Sequence, residues 1–453
     1  MRTTLDPAAA PRTGGTPSGR RRPGLRWGMI SLAFAGCAVN NIDRSAISVS
    51  LPYMSQDLHI SATVEGLILG WFFLMYAFCL LPAGSVVDRF GARLVYGAGG
   101  VVWGIATVLT AAVQGVTSLL GLRMLLGIGE ASQYPSCVQA TARWFPARER
   151  ATATAVWDMG ARVGGVLTMP LMTAVIGWWG WRAGFVAAGA LGCLWAVGWL
   201  VMYREPRAHR RLSPAELRYI EDGQDKPTGP VAEDALRWRD LFRYRAVWGM
   251  MLGFFCFNYI AYFFITWFPS YLVHARGFDL LHLGFFGMIP GIVAVGAEFV
   301  SGVVQDRAAA AGIATTRIRK TPLVLGMLLA SVIVVAVLVP SQAAALALFS
   351  LSYGLLMIGG PSIGSLPLDF APTPRHIGSL GGIQNFAGNL AGFAGPIITG
   401  ALIDASGSYL LPVAVTGVVS VAGAATYLFL VPRLEPIRVG SPATGPLKKA
   451  TSA

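Results

Sequence analysis

The sequence predicts an all-α membrane protein in which twelve transmembrane helices form two pseudo-symmetric halves of six. Three observations support this fold class: an apolar composition, apolar stretches of membrane-spanning length along the whole chain, and a short polar motif that occurs once in each half. Hydrophobic residues make up 54% of the 453 residues and charged residues only 13%. Because about 25% of the residues in a typical soluble domain are charged, the composition argues against a soluble fold.

Apolar stretches long enough to cross a bilayer recur along the chain. A transmembrane helix needs roughly 20 predominantly apolar residues, since the hydrocarbon core is about 30 Å thick. We number the twelve stretches of this kind as spans 1 to 12. They are predicted over 27–50, 63–87, 94–115, 117–141, 151–176, 182–203, 246–272, 282–304, 321–340, 344–368, 377–402 and 411–432.

The longest polar interruption lies between spans 6 and 7 and divides the chain into halves. The predicted organisation is a disordered basic tail over 1–26, a first half over 27–203, a central loop over 204–245, a second half over 246–432 and a tail over 433–453. Within the loop, Ser213 and Glu216 form the S-x-x-E pattern of a capping box, with Pro214 at the first helical position. This pattern predicts a short helix at the membrane face.

The net charge of +13 follows the membrane topology rather than a nucleic-acid surface. If both termini are cytoplasmic, 30 of the 35 Lys and Arg residues lie in the tails or the cytoplasmic loops, and only Arg182 and Arg276 face outside. The positive-inside rule therefore predicts a multi-pass protein of the inner membrane with both termini in the cytoplasm. The expected partners are the lipid bilayer and a small molecule, with no nucleic acid, and the chain is expected to function as a monomer.

A polar motif repeats at equivalent places in the two halves. Gly84, Asp88 and Arg89 form G-x-x-x-D-R after span 2, and the same pattern ends in Asp306 and Arg307 after span 8. Such a correspondence predicts two parallel-related halves around a central cavity, which is a common layout of secondary transporters.

The sequence carries no pattern typical of an enzyme or a metal protein. The five cysteines match no metal-ligand spacing, and neither an H-E-x-x-H motif nor a nucleotide-binding motif occurs. We therefore expect no catalytic residues, no metal and no cofactor. The coupling ion expected from carboxylates buried inside the predicted spans is the proton.

Ionisable residues inside the predicted spans mark a pathway through the membrane. An ionised side chain at the bilayer centre costs at least ~2.5–3.5 kcal/mol, so such residues are functional candidates. Away from the ends of the spans there are seven such residues: Asp43, Arg44, Arg123, Glu130, Asp158, Arg162 and Glu298. Arginine binds a carboxylate through two parallel hydrogen bonds, and the predicted spans contain no lysine. Arginines around one cavity therefore favour an anionic substrate, and a buried carboxylate is able to take up a proton near neutral pH.

Helical spacing suggests how these charges are arranged. Arg123 and Glu130 are seven residues apart and share one face of span 4, and Asp158 and Arg162 share one face of span 5. Each pair also has a purely structural interpretation as a static salt bridge. Glu298 could instead bind neighbouring backbone.

Several motifs resemble those of a known family. The loop Gly84-x-x-x-Asp88-Arg89-x-Gly91-x-Arg93 is similar to the signature of the major facilitator superfamily. Other stretches resemble its anion:cation symporter branch, which carries organic anions, mostly with protons. They include Asn41-Ile-Asp43-Arg44, Arg123 to Glu130, Tyr134-Pro135, Asn258-Tyr259 and Asn385-x-x-x-Asn389. The resemblance extends from about Trp27 to Arg433.

The resemblance implies roles for individual residues. Arg44 is expected to contact the substrate carboxylate, Arg123 to line the same cavity, and Asp43 and Glu130 to carry the coupled protons. Further substrate contacts are implied for Tyr76, Asn258, Tyr259, Asn385 and Asn389, all of which could instead form hydrogen bonds between helices. Asp158, Arg162 and Glu298 depart from the usual pattern and are interpreted as residues that tune the site. The residues expected to form a gate are Gly84, Asp88, Arg89, Gly91, Arg93, Asp306 and Arg307.

The function predicted from these features is uptake of a small organic anion, such as a sugar acid, a dicarboxylate or an aromatic carboxylate, by proton-coupled symport. The main alternative is a proton-coupled exporter of a metabolite or drug, but span 5 lacks the G-x-x-x-G-P-x-x-G-G run seen in drug antiporters. A membrane-embedded enzyme is a third hypothesis, which the absence of catalytic motifs disfavours, and a transporter-like receptor that binds its ligand without moving it is the fourth.

Overall fold

The computed structural model describes residues 24–224, 238–431 and 433–437. Almost all of the two predicted tails, 1–26 and 433–453, and part of the central loop therefore lie outside the described residues. In the ranges described, all regular secondary structure is helical. Each predicted span coincides with one long helix, with two short helices in succession or, for spans 5 and 6, with one part of a single helical stretch.

The first six spans occupy the chain up to Met202. They are formed by Leu25–Leu58, Ala62–Phe90, Ala92–Thr110, Val116–Glu130 with Gln133–Trp144, and the two parts of Arg150–Met202. The helical stretch Arg150–Met202 contains spans 5 and 6, which are separated by a kink at Gly180 with φ 79° and ψ 170°. Because an L-residue rarely adopts this conformation, glycine allows the chain to turn back without a loop.

The last six spans follow the same pattern with more breaks. They are formed by Arg245–Thr266 with Phe268–His274, Leu280–Phe286 with Ile289–Ala310, Thr315–Ala330 with Ile333–Leu338, Gln342–Met357 with Gly360–Phe370, Pro374–Ser406, and Leu410–Ala425 with Thr426–Leu430. The prediction of twelve spans in two halves is thus confirmed. Broken helices are tolerated at membrane depth where the backbone is buried in protein or lines a cavity.

The short helix predicted in the central loop is present as Pro214–Asp222. The Ser213 hydroxyl accepts a hydrogen bond of 3.2 Å from the backbone N–H of Glu216, as the capping pattern predicts. The Glu216 carboxylate binds span 1 instead of its own helix, because it accepts bonds of 3.0 Å from the Leu25 N–H and from the Arg26 guanidinium. The loop helix is therefore fastened to the start of span 1.

The two halves meet closely on one side of the membrane. We call the side on which span 1 begins the terminal side, and the opposite side the outer side. At the outer side, the Asp404 carboxylate of span 11 accepts hydrogen bonds of 3.1 and 2.8 Å from the N–H groups of Ala62 and Thr63 in the first turn of span 2. The first N–H groups of a helix have no partner within the helix, and an N-cap residue usually accepts their hydrogen bonds. Here Asp404 of the other half takes that role.

Glycines of span 2 allow this approach. A Cβ atom on Gly70 would lie 2.5 Å from the carbonyl oxygen of Phe393 in span 11, and Gly66 faces the backbone of Pro396 in the same way. On the other side of the cavity, Gly287 of span 8 packs against Met169 of span 5. Close packing at these glycines, against backbone at span 11 and against a methionine side chain at span 5, closes the outer side.

We expect Gly70→Ala to loosen the outer closure. The added methyl group has no space beside the Phe393 carbonyl, and overpacking of this kind costs about 1–3 kcal/mol. The melting temperature of the purified protein should fall by several degrees, and alkylation of a cysteine introduced at Thr63 should accelerate. The matched control is Gly121→Ala, because a Cβ at Gly121 meets nothing within 4 Å. Equal behaviour of the two variants would contradict this account of the closure.

Candidate substrate and proton site

A cavity of about 280 Å³ lies between the two halves, and spans 1, 5, 7, 8 and 10 form its walls. Its lining is apolar except for a small set of polar side chains. They are Asn41, Arg44, Ser45, Asp158, Arg162, Thr168, Tyr262, Glu298 and Tyr353. We call this space the central cavity. Its size and its few polar groups are typical of a site for a small ligand.

A larger cavity of about 980 Å³ lies nearer the terminal side. Its walls are the terminal-side parts of spans 2, 4, 7, 10 and 11, and Tyr76, Tyr134 and Asn385 are among its lining residues. The outer side is closed at the same time, so the central cavity lies between a packed outer boundary and this larger space.

Arg44 connects the central cavity to a buried carboxylate. Its Nε and Nη2 atoms donate hydrogen bonds of 2.9 and 2.7 Å to the same Oε2 atom of Glu130. The Glu130 side chain is fully buried, whereas 19% of the Arg44 side chain is exposed. The guanidinium also lies 4.8 Å from the ring centre of Phe72 and 5.0 Å from that of Tyr76, within the range of cation–π attraction. The Arg44 side chain therefore pairs with Glu130 inside the protein and is also exposed to the central cavity.

Small residues bring Glu130 to this position. A Cβ on Gly127 would lie 2.8 Å from the carbonyl oxygen of Phe72, and one on Gly129 would lie 2.9 Å from that of Gly99. Span 4 is thereby held against spans 2 and 3, and its first helix ends at Glu130. The carboxylate then points toward span 1, where it meets Arg44.

Asp43 and Arg123 form the buried side of the same cluster. Asp43 is fully buried and Arg123 is 3% exposed. Arg123 interacts electrostatically with both Asp43 and Glu130. Both carboxylate oxygens of Asp43 and the Oε1 atom of Glu130 lack a hydrogen bond of good geometry in the described part of the chain, although the Trp103 indole lies beside Asp43 and the Asn40 amide beside Glu130. With all four groups ionised, the two carboxylates and two guanidiniums cancel.

A second charged group crosses the central cavity. Arg162 of span 5 donates from Nη1 to Glu298 Oε2 at 2.5 Å and from Nη2 to Asp158 Oδ2 at 3.2 Å. Since Glu298 belongs to span 8, this cluster joins the two halves. We call it the Arg162 triad. Its two carboxylates and one guanidinium carry a net charge of −1 when all three are ionised.

Comparison with known proteins identifies the family. The sequence profile of the Major Facilitator Superfamily matches residues 33–396. The chain belongs to the major facilitator superfamily. It is 33% identical over 403 residues to a probable L-galactonate transporter of Escherichia coli (strain K12), with 88% of each protein covered. It is 30% identical over 431 residues to a probable galactarate/D-glucarate transporter of Bacillus subtilis (strain 168), which covers 92% of this chain and 94% of the relative.

A solved structure supports the fold assignment. A bacterial homolog of the human lysosomal transporter Spinster, in an inward-facing and unoccupied conformation, superposes with a TM-score of 0.76 over 93% of this chain and 98% of the other. Its sequence identity of 20% supports the shared fold and no more. As a major facilitator superfamily member, the chain is a multi-pass membrane transporter and not an enzyme.

The superfamily fold brings only some of the predicted binding residues to the central cavity. Arg44 lines it, whereas Arg123 is buried behind Glu130, and Tyr76 and Asn385 line the larger cavity. Asn258 and Asn389 donate to carbonyl groups of their own helices, at 3.0 Å to Phe254 and 2.9 Å to Asn385 respectively. The Tyr259 hydroxyl is buried between spans 7 and 11.

Sequence reasoning missed several lining residues of the central cavity. They are Asn41, Ser45, Thr168, Tyr262 and Tyr353. Tyr262 faces Arg44 and packs on Phe73 with 4.3 Å between ring centres, so it connects the two halves beside the arginine. A signal existed for Asn41 and Ser45, because Asn41 lies three residues before Arg44 and Ser45 lies four residues after Asn41, spacings that place each pair on one helix face.

The predicted gate motif forms a compact turn on the terminal side in the first half. Gly91 has φ 79°, a conformation that favours glycine, and the Arg93 guanidinium donates to the carbonyl of Leu200 at 3.0 and 2.6 Å. Gln139, which sequence reasoning missed, accepts from the Ala92 N–H at 2.7 Å and approaches Asp88 at 3.5 Å. The side chains of Asp88 and Arg89 are exposed, and Gly84 is half-buried.

The equivalent turn of the second half is organised around a different residue. Asp306 and Arg307 are exposed, while the preceding Gln305 is buried. The Gln305 side-chain oxygen accepts bonds of 3.0 Å from Arg319 and from the Ser362 hydroxyl. A glutamine thus connects neighbouring spans at the terminal side in each half.

Proposed function

We propose that this protein imports a sugar acid by proton-coupled symport. One observation carries the proposal. Among the described residues, Arg44 belongs both to the lining of the central cavity and to the cluster that it forms with Asp43, Arg123 and Glu130, and the fully buried Glu130 carboxylate that neutralises it would lose its charge on taking up a proton. The names of the relatives support the substrate class, because both are described as transporters of sugar acids.

The proposed cycle begins with uptake of a proton by Glu130. Protonation removes the carboxylate charge, so the Arg44 guanidinium becomes available to the carboxylate of the substrate. Asp43 takes a second proton, which removes the cost of keeping a fully buried carboxylate ionised. When the protons leave, Glu130 competes again for Arg44 and the substrate is expelled.

The charge balance couples the two solutes. An unpaired guanidinium or an unpaired substrate carboxylate is costly inside the low-dielectric cavity. Proton and anion therefore enter the closed state together. Moving one net charge across the membrane changes the free energy by about 2.3 kcal/mol per 100 mV, so a second proton per monoanion makes uptake responsive to the membrane potential.

In this proposal the terminal side faces the cytoplasm of a bacterium, and the membrane is the inner membrane. The larger cavity, beside Tyr76 and Asn385, is then the exit path toward the cytoplasm. Each residue of the proposed site comes from one chain, so a monomer is sufficient for transport.

The test uses purified protein in liposomes that contain a pH-sensitive dye. Sugar acids, aromatic acids, cations and neutral sugars are added outside in turn. Symport predicts that a sugar acid triggers proton entry while its neutral sugar does not. Silence with every anion, together with proton efflux that drives accumulation of a cation or an apolar compound, would replace the proposal with export.

A further inference from the structure

The cations around the central cavity differ in their availability to a substrate. Arg44 needs the loss of one carboxylate charge, that of Glu130, to become free. Arg123 is 3% exposed and does not line the cavity. Arg162 is bound by two carboxylates, one from each half. A protonation step therefore releases one guanidinium into the cavity, enough for one substrate carboxylate.

Whereas Arg44 favours a carboxylate, the Arg162 triad disfavours one. Its net charge is −1 when ionised, so a second carboxylate placed there would meet two like charges and one guanidinium that is already paired. Hydroxyl groups meet no such repulsion, because they donate hydrogen bonds to carboxylates and accept them from arginine. The triad therefore suits a neutral, hydroxyl-rich group.

The position of the triad is well defined. Glu298 packs on the backbone of span 10, where a Cβ at Gly360 would lie 2.8 Å from its Oε1 atom. Tyr353 of the same span interacts electrostatically with both Glu298 and Arg162. A cavity of about 280 Å³ that contains both Arg44 and this triad is small enough for one sugar-acid chain to contact both.

We infer that Asp158, Arg162 and Glu298 form a subsite that binds the hydroxyl-bearing tail of a sugar acid and rejects a second carboxylate. The substrate is then a sugar acid with one carboxylate, and the corresponding dicarboxylate of equal length is a poor substrate. This inference depends on the proposed function, since it names the class of sugar acid that the same cavity accepts.

The experiment compares a six-carbon monocarboxylic sugar acid with the dicarboxylic acid of the same length in the liposome assay. Wild-type protein should take up the monocarboxylate at least ~10-fold more efficiently, because like charges placed against each other carry a penalty of at least that size. Asp158→Asn and Glu298→Gln each remove one negative charge from the triad. Each should shift the ratio of the two uptake efficiencies toward the dicarboxylate by about 10-fold. The matched control is Asp279→Asn, an exposed carboxylate outside the cavity, which should keep the wild-type ratio.

The outcomes distinguish a failure of the inferred selectivity from a failure of the proposed symport. Equal or better uptake of the dicarboxylate by the wild type would overturn the inference while leaving anion symport in place. Folded triad variants with an unchanged ratio would overturn it as well. Absence of proton entry with both acids would instead remove the proposed function. If the variants are unstable, the wild type alone provides the test. The monocarboxylate should then raise its melting temperature more than the dicarboxylate does, and the reverse would overturn the inference.

Discussion

Arg44→Lys should lower the efficiency of sugar-acid uptake by roughly 10- to 100-fold. Hydrogen bonds to charged groups contribute about 1.5–3 kcal/mol, and about 1.4 kcal/mol corresponds to a factor of ten. Lysine keeps the positive charge but loses the planar fork whose Nε and Nη2 atoms both bind a single carboxylate oxygen of Glu130. The measurement is initial uptake of labelled substrate into liposomes at a fixed pH gradient.

The matched control for this substitution is Arg182→Lys. The Arg182 side chain is 51% exposed and pairs with Asp57 at 3.1 Å near the outer ends of spans 1 and 6, away from the central cavity. A surface pair of this kind contributes about 0–1 kcal/mol, so uptake should remain close to that of the wild type. Wild-type uptake by Arg44→Lys would remove this arginine from the proposed binding step.

Glu130→Gln should abolish accumulation driven by a pH gradient while preserving exchange of substrate across the membrane. Glutamine resembles the protonated carboxyl group, so it leaves Arg44 available to the substrate but has no proton to release. The two activities are measured separately, as uptake of labelled substrate against its gradient and as exchange of labelled for unlabelled substrate at equal pH. We expect the first to fall to background and the second to continue.

A control for the glutamate substitution is Glu221→Gln. Glu221, which belongs to the central-loop helix, forms an exposed ion pair with Arg207 and lies far from the cavity. This variant should retain both activities. If Glu130→Gln accumulates substrate as the wild type does, Glu130 is not the coupling residue, and the fully buried carboxylate of Asp43 becomes the next candidate.

The pairing of Arg44 with Glu130 shows what sequence reasoning could not supply. Both residues stood out because charge is costly inside a membrane, and the resemblance to a family assigned a role to each. Their separation of 86 residues gave no sign that they contact each other. Helical spacing instead suggested Arg123 as the partner of Glu130, since both lie on one face of span 4. The structure places Arg44 in hydrogen-bond contact and Arg123 farther away.

The Arg162 triad shows a similar limit. Spacing along span 5 predicted that Asp158 and Arg162 share a face, and the structure places them 3.2 Å apart. The same guanidinium also binds Glu298 at 2.5 Å, 136 residues away in the other half. A local rule therefore found one partner of this arginine, but packing of spans 5 and 8 decided that it connects the halves.

By itself, the sequence determined the membrane class, the twelve spans, the family and the charges in the middle of the spans. These properties depend on the free energy of transferring each segment and each charge into lipid, which is set by the local sequence. Only the tertiary structure decided which polar residues face the cavity. The amide side chains of Asn258 and Asn389 bind carbonyl groups of their own helices, whereas Tyr262 and Glu298 line the cavity wall. The rotation of each helix against its neighbours decides between these outcomes, and that rotation depends on contacts between spans distant in the chain.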